Sequence, residues 1–397
     1  MNRIIYPVIF LLILCISGGC SKITDLKPQS GFVKLFPDSS YQTGGGFQLA
    51  DGNYIVYGFD PDESGVLPKI IKTNQYGDTL WQIRLSSLFH FLTIKPISNG
   101  KMLAVGVEDE VSMNFCLIDA NGNTSVLPSY LNTVRADPNW LPDFVEEANG
   151  DFTVCSYFDS LKYLFPFVLR INQIGNPYKR YVFENSFIDS TNFSPIGITR
   201  KVDGYSVAGV AYDRTHPFKG MFYARLDEQY NVVYDSILFD GNAALYADAI
   251  SEDSSDGSTM LCGETGGSDY SGNLYVRRIG VNGAMEEEIL FTGDYENFGK
   301  FKDISNTADG GYILTGTVNK YADLNVVSYA RIYLLKLDHN LNKEWSREFG
   351  SINPYAGVTA SQTSDGGYIV SGFERPASYV FTMLLIKTNA YGNIISE

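Results

Sequence analysis

Basic residues are few in this sequence: 30 lysines and arginines stand against 45 acidic residues, giving a net charge of −15. No basic run exists, which argues against a nucleic-acid partner, because phosphate binding needs clustered Lys and Arg. Histidine occurs three times, at His90, His216 and His339. No Ser-His-Asp grouping and no phosphate-cradling loop accompanies it. The cysteines are Cys15, Cys20, Cys116, Cys155 and Cys262, and no spacing among them resembles a zinc site. Cys155 and Cys262 fall at one repeat position inside apolar strands and read as buried small hydrophobes. Apolar runs are short. The longest opens the chain, from Ile4 to Ile16, and falls below the ~20 residues a membrane-spanning helix needs. These absences leave no cofactor or resident metal to expect.

What the sequence does contain is a repeat. Its clearest copies are Asp51-Gly-Asn-Tyr-Ile-Val-Tyr-Gly58, Asp309-Gly-Gly-Tyr-Ile-Leu-Thr-Gly316 and Asp365-Gly-Gly-Tyr-Ile-Val-Ser-Gly372. The final motif residue falls at Gly58, Gly106, Ser156, Gly209, Gly263, Gly316 and Gly372, with spacings of 48, 50, 53, 54, 53 and 56. A period near fifty with four short β segments per unit specifies an all-β, seven-bladed β-propeller of four-stranded blades. In the first unit the strands read as Gly46 to Ala50, Tyr54 to Phe59, Lys69 to Thr73 and Leu80 to Leu85. The turn before each second strand carries Asp-Gly or Asn-Gly, a strong hairpin dipeptide. The turn after each third strand follows the pattern Asn74-Gln-Tyr-Gly-Asp78. It loses its glycine in Asp227-Glu-Gln-Tyr-Asn231 and Asp338-His-Asn-Leu-Asn342. The column Tyr54, Phe152, Tyr205, Tyr312 and Tyr368 reads as blade packing. The last repeat stops short of a full fourth strand, so Phe32 to Phe36 is expected to fill that place and close the ring.

The third strand carries Lys72, Arg170, Arg225, Arg278, Lys336 and Lys387 two residues before its turn, and Leu117 in the second unit. All five units whose first turn has Asp also have this cation. The pattern predicts intrablade ion pairs, Asp51 with Lys72 and so on, each worth about 0–1 kcal/mol when partly exposed. Acids so close argue against a free basic ring that binds an anion.

The first residues read as a targeting segment. Arg3, the apolar run and Ser17-Gly18-Gly19-Cys20 resemble the bacterial lipoprotein signal, which implies removal of residues 1–19 and lipidation of Cys20. Residues 20–30 then form a polar tether and 31–397 a single monomeric propeller domain, attached to a membrane through its lipid. The units Asp309-Gly-Gly-Tyr-Ile-Leu-Thr-Gly316, Tyr333-Leu-Leu-Lys-Leu-Asp338 and Lys343-Glu-Trp345 resemble propeller repeats of secreted and surface proteins of Bacteroidota. That resemblance implies an exported protein of the cell envelope, in the outer membrane, and supplies no catalytic residues. The Gly-His to Trp-Asp signature of WD repeats is missing, as are the tryptophan dockings of quinoprotein propellers.

In propellers the loops from strand two to three and from strand four to the next strand one share a face, and here those loops vary, as binding loops do. An acid follows strand two in six units: Asp60, Glu108, Asp159, Asp213, Glu264 and Glu374. Their expected effect is negative charge around that face, suited to a cationic or polar ligand. Asp60, Asp62 and Glu63 offer oxygen ligands, but their spacing is not that of an EF-hand loop. Aromatics on the same loops are Trp140, Phe187, Tyr246, Tyr270, Tyr295, Tyr321 and Tyr355; such rings stack on sugars and peptides. These residues suggest a binding or scaffold module for a glycan or a protein. The alternatives are a glycosidase or lyase and a purely architectural envelope protein. The enzyme would draw a carboxylate pair from Glu146, Glu147, Asp248, Glu252 and Asp303.

Overall fold

The computed structural model describes residues 31–37, 43–62, 65–86, 90–108, 112–131, 141–160, 163–183, 191–213, 220–238, 244–253, 255–266, 273–291, 297–320, 329–377 and 380–394. They form seven antiparallel sheets arranged as the blades of a propeller. Blade one is built from Thr43–Gln48, Tyr54–Asp62, Gly65–Thr73 and Thr79–Arg84, in order from the channel outward. Blades three to six repeat this order. Blade two differs at its rim. Its outer strand is split into Thr124–Val126 and Tyr130–Leu131, both paired with Ser112–Ile118. Pro128 lies in the gap, and a proline cannot donate to a ladder.

Closure follows the sequence expectation. Phe32–Phe36 pairs antiparallel with Val380–Thr388 of blade seven, from Phe32 opposite Lys387 to Phe36 opposite Met383. Phe36 is buried between blades seven and one with Tyr54, Val56, Ile71, Ile369 and Leu385. The core is thus a ring of seven apolar clusters, one at each seam between neighbouring blades. Cys116, Cys155 and Cys262 are free and buried in three of these seams.

The turns explain the repeat. In the turn after strand three, Gly77 adopts φ +80°, and its outline is fixed by Asn74 Oδ1, which accepts the N–H groups of Tyr76 and Asp78. In the two glycine-free turns, Tyr230 (φ 68°) and Leu341 (φ 60°) take the left-handed position. That conformation is costly for a side chain. Burial offsets it, since Tyr230 is 2% and Leu341 0% exposed.

The five predicted ion pairs all form: Asp51–Lys72 at 2.8 Å, Asp203–Arg225 at 2.6 Å, Asp256–Arg278 at 3.4 Å, Asp309–Lys336 at 3.0 Å and Asp365–Lys387 at 2.9 Å. In blade three, where Asn149 replaces the aspartate, Arg170 instead meets Glu147 at 2.9 Å. The cations also tie blades together. Lys72 donates to the Ala120 carbonyl of blade two at 3.1 Å. The tyrosine column adds a further link: Tyr205 donates to Glu147 at 2.5 Å, and Tyr312 donates to Asp253, in each case across a seam.

Candidate binding face

One end of the propeller is used up by this turn chemistry. The last residue of an inner strand reaches back and caps the first turn of the blade before it. Gln48 accepts from the Ser364 N–H, Glu146 from Ser98 and Gln362 from Ala308, each at 2.7 Å. Asp253, Asp256 and His339 converge here in a grouping that has the right residue types for a cation. Arg278 already lies within it, 2.8 Å from Asp253 and 3.4 Å from Asp256. Burial pushes the Asp253 carboxyl up, but hydrogen bonds from Ser255, Tyr312 and Arg278 outweigh it and hold the group down at about 2. The cluster is therefore a neutralised seam between blades five and six.

The channel carboxylates are also engaged. Gly45, Thr93, Asp143, Gly197, Ala249, Asp303 and Thr359 share one register position on the inner strands. At three of these positions an acceptor binds the next blade's backbone. Asp143 accepts from Ile198 N–H at 3.1 Å, Asp303 from Ala360 at 2.9 Å and Thr359 from Gly46 at 2.9 Å. Where the position holds Gly45, the Tyr57 ring fills the space a Cβ would need, and its hydroxyl takes the Ile94 N–H. Asp143 further pairs with Lys95 at 2.6 Å. Burial raises Asp303 to about 6, against the pull of the Ala360 and Ile304 N–H groups and Lys95, and with a further push from Asp143.

Three of the acids weighed for catalysis have structural tasks. Glu146 caps a turn. Glu147 is buried against Arg170, Arg200 and Tyr205. Asp303 bridges blades six and seven. Asp248 occupies the bulge between Ala247 and Ala249. Burial raises Glu252, and Lys201 opposes that shift.

At the opposite end, several expectations change. Asp60 is not a free loop charge: it is 4% exposed, bonded by Arg84 and 3.9 Å from Lys69. Glu374 is 9% exposed and accepts from Asn353 at 2.8 Å and Ser351 at 3.3 Å. Tyr246 and Tyr355 lie in inner strands, not on loops. Tyr355 is buried in the seam between blades six and seven. Tyr246 is half-buried, and its carbonyl accepts from the Tyr275 hydroxyl at 2.7 Å. Glu264 is half-buried in the second strand of blade five. The side chains of Glu108, Asp159 and Asp213, and the whole of Cys20, Trp140, Phe187, Tyr270, Tyr295 and Tyr321, lie outside the described residues.

Among the described residues this end carries a cleft that the sequence did not flag. Arg331, Gly350, Ser351 and Ile352 line a shallow, largely open space of about 480 Å³. Its wall is the connection from blade six to blade seven. That loop is held by the Ser351 and Asn353 bonds to Glu374 and by the Arg375 N–H, which donates to the Pro354 carbonyl at 2.8 Å. Ile352 is 86% exposed at the edge of the cleft.

No protein-family model and no curated sequence matches the chain. Among solved structures, an ulvan lyase from a new family of polysaccharide lyases aligns at TM-score 0.63 and 10% identity, covering 92% of this chain and 98% of that one. The BP39L lectin from Burkholderia pseudomallei aligns at TM-score 0.60 and 10% identity, over 90% and 98%. Sqt1 from Chaetomium thermophilum aligns at TM-score 0.51 and 8% identity, over 90% and 97%. At such identities the likeness is one of architecture, and the chain stands with these proteins as a β-propeller.

Proposed function

We propose that this protein is a lipid-anchored binding module of the bacterial cell envelope that takes a glycan on its variable-loop face. The observation that carries this reading is how the two ends divide the chemistry. The repeated charges pair within their blades and the inner-strand acids Glu146, Glu147 and Asp303 are bonded to neighbouring blades, while the cleft beside Ile352 opens among non-repeated residues. A binder needs a shaped surface with a few polar groups, which the cleft supplies. A glycosidase needs two carboxylates held on either side of one bond. The lectin and lyase among the architectural neighbours make a saccharide the first ligand class to test. The anchor rests on Cys20 and the residues before it, which have the lipoprotein pattern.

The experiment is titration of the purified chain with a panel of neutral and acidic oligosaccharides, with product analysis of the same mixtures. Saturable binding without cleavage is expected. Steady release of shortened saccharides would overturn the binding-only reading, and a panel without any binding would overturn the glycan. For the anchor, cells fed radioactive fatty acid should label the wild type and not Cys20→Ala; equal labelling of both would remove the anchor from the proposal.

A further inference from the structure

We infer that Arg331 is the anion seat of the blade six cleft, so that the ligand is a saccharide carrying a carboxylate or sulfate. This rests on the glycan reading above and narrows it. The argument begins with how this protein treats its other cations. Arg84 bonds Asp60, Arg277 bonds Glu288 and Lys95 bonds Asp143. Arg170, Arg225, Arg278, Lys72, Lys336 and Lys387 hold the seam and turn acids. In a chain of net charge −15, a half-buried guanidinium without a partner is an exception. Arg331 is that exception: it is half-buried in the third strand of blade six and has no carboxylate or carbonyl acceptor among the described residues.

The local backbone is shaped to present it. A Cβ on Gly350 would stand 2.6 Å from Arg331 Cδ and 2.8 Å from its Nη1. The side chain therefore lies flat over the Gly350 backbone, and glycine is what allows this. Gly350 has no unusual φ to explain its presence in another way. Glu374 is the nearby acid that would be the obvious partner. It is instead taken up by Asn353 and Ser351, which fixes the wall of the cleft and leaves the guanidinium without an acidic partner among the described residues. A planar fork of this kind matches a carboxylate or sulfate through paired, charge-assisted hydrogen bonds. Ile352, almost fully exposed at the mouth, offers apolar surface for the C–H face of a sugar ring. Cation and apolar platform together fit an acidic sugar better than a free inorganic anion, which would gain nothing from Ile352.

The test is calorimetric titration of the full chain with three probes: oligogalacturonate for carboxylate, sulfated galactan oligosaccharide for sulfate, and the matching neutral galacto-oligosaccharide. At least one acidic probe should bind about 10- to 100-fold more tightly than the neutral one, the scale of a charged hydrogen-bond pair, and should weaken as salt rises. Arg331→Gln should abolish that preference. Gly350→Ala keeps the charge but displaces the guanidinium, and should weaken the acidic probe with little change in melting temperature. If an oligosaccharide binds the wild type and Arg331→Gln equally, the anion seat is refuted and the glycan reading survives. If none of the three probes binds, nor any other sugar of the panel, both fall.

Discussion

Asp303 is the inner-strand carboxylate whose energetics can be worked out most fully. It bridges blades six and seven by accepting the Ala360 N–H at 2.9 Å. Burial raises its carboxyl to about 6, with Asp143 pushing the same way and Lys95 opposing. An unfolded aspartate titrates near 3.9. Because the folded value is the higher one, ionised Asp303 costs stability above pH 6. The cost fades as pH falls from about 6 to about 4, where the folded state holds a proton that the unfolded state lacks. A difference of roughly two pKa units corresponds to about 3 kcal/mol. Asp303→Asn keeps the acceptor for Ala360 and removes the charge. It should stabilise the protein by up to about 3 kcal/mol above pH 6.5, by about 1 kcal/mol at pH 4.5 and by almost nothing below about pH 3.5. Asp303→Ala removes the acceptor too, leaving a buried N–H unpaired at a cost of about 1–3 kcal/mol, and should fall below Asp303→Asn at every pH. Urea or thermal melts of the three proteins between pH 4 and 8 measure this directly. An Asp303→Asn protein no more stable than wild type at pH 8, or a gain that persists unchanged at pH 4.5, would refute the reasoning.

Three further outcomes follow from the seams. Tyr312→Phe removes the hydroxyl that donates to Asp253 across blades five and six; a loss of about 1.5–3 kcal/mol in urea melts is expected for a bond to a charged group, and an unchanged midpoint would contradict the link. Phe36→Ala empties a side chain that is 8% exposed at the closing seam. It should cost about 3–5 kcal/mol and release the edge of Val380–Thr388, read as self-association in size-exclusion chromatography. Cys116, Cys155 and Cys262 are buried, and burial pushes all three thiols up. They should resist a thiol reagent in the native protein and react only in denaturant, whereas rapid native labelling of any of them would place it at the surface.

Much of this fold was legible because every blade must solve the same physical problem. A blade buries both faces against its neighbours and turns at fixed places, so Asp-Gly turns, column tyrosines and turn-end cations recur in the sequence. The five ion pairs could be inferred from covariation within one chain, because Asp51 and Lys72 lie at the same end of adjacent strands in each copy. Partners that leave the pattern escaped. Glu147 as the acid for Arg170 sits two residues from the expected place, and Asp253 approaches Arg278 more closely than Asp256 does. Each of these acids also accepts from a tyrosine of the next blade, Glu147 from Tyr205 and Asp253 from Tyr312, and the sequence of one blade does not reveal which neighbouring residue it meets. The roles of Asp143 and Asp303 escaped for the same reason. Each accepts from the next blade, and nothing in an isolated inner strand distinguishes that from a carboxylate lining an open channel.

The candidate site shows why repetition is a poor guide on the other face. The acids after strand two look like a ring when counted by type, but register divides them. Asp60, Glu108 and Glu374 stand two residues past the motif end, whereas Glu264, Asp159 and Asp213 stand one, three and four past it. Side chains alternate along a strand, so a one-residue shift moves an acid from one blade face to the other. The two whose side chains are described at the shared position, Asp60 and Glu374, are buried and bonded. Repetition at that position therefore marks a structural acid, by the same logic that made the Asp-Gly turn structural. A ligand contact has no reason to recur around the ring, since one ligand approaches from one direction. Arg331 fits that expectation. It belongs to no column, it is balanced by no repeated acid, and what sets it apart is that no carboxylate or carbonyl among the described residues accepts from it, which a sequence cannot display. For a propeller of this kind, the residues to mutate first are those that break the repeat and still come out of the fold half-buried and unsatisfied.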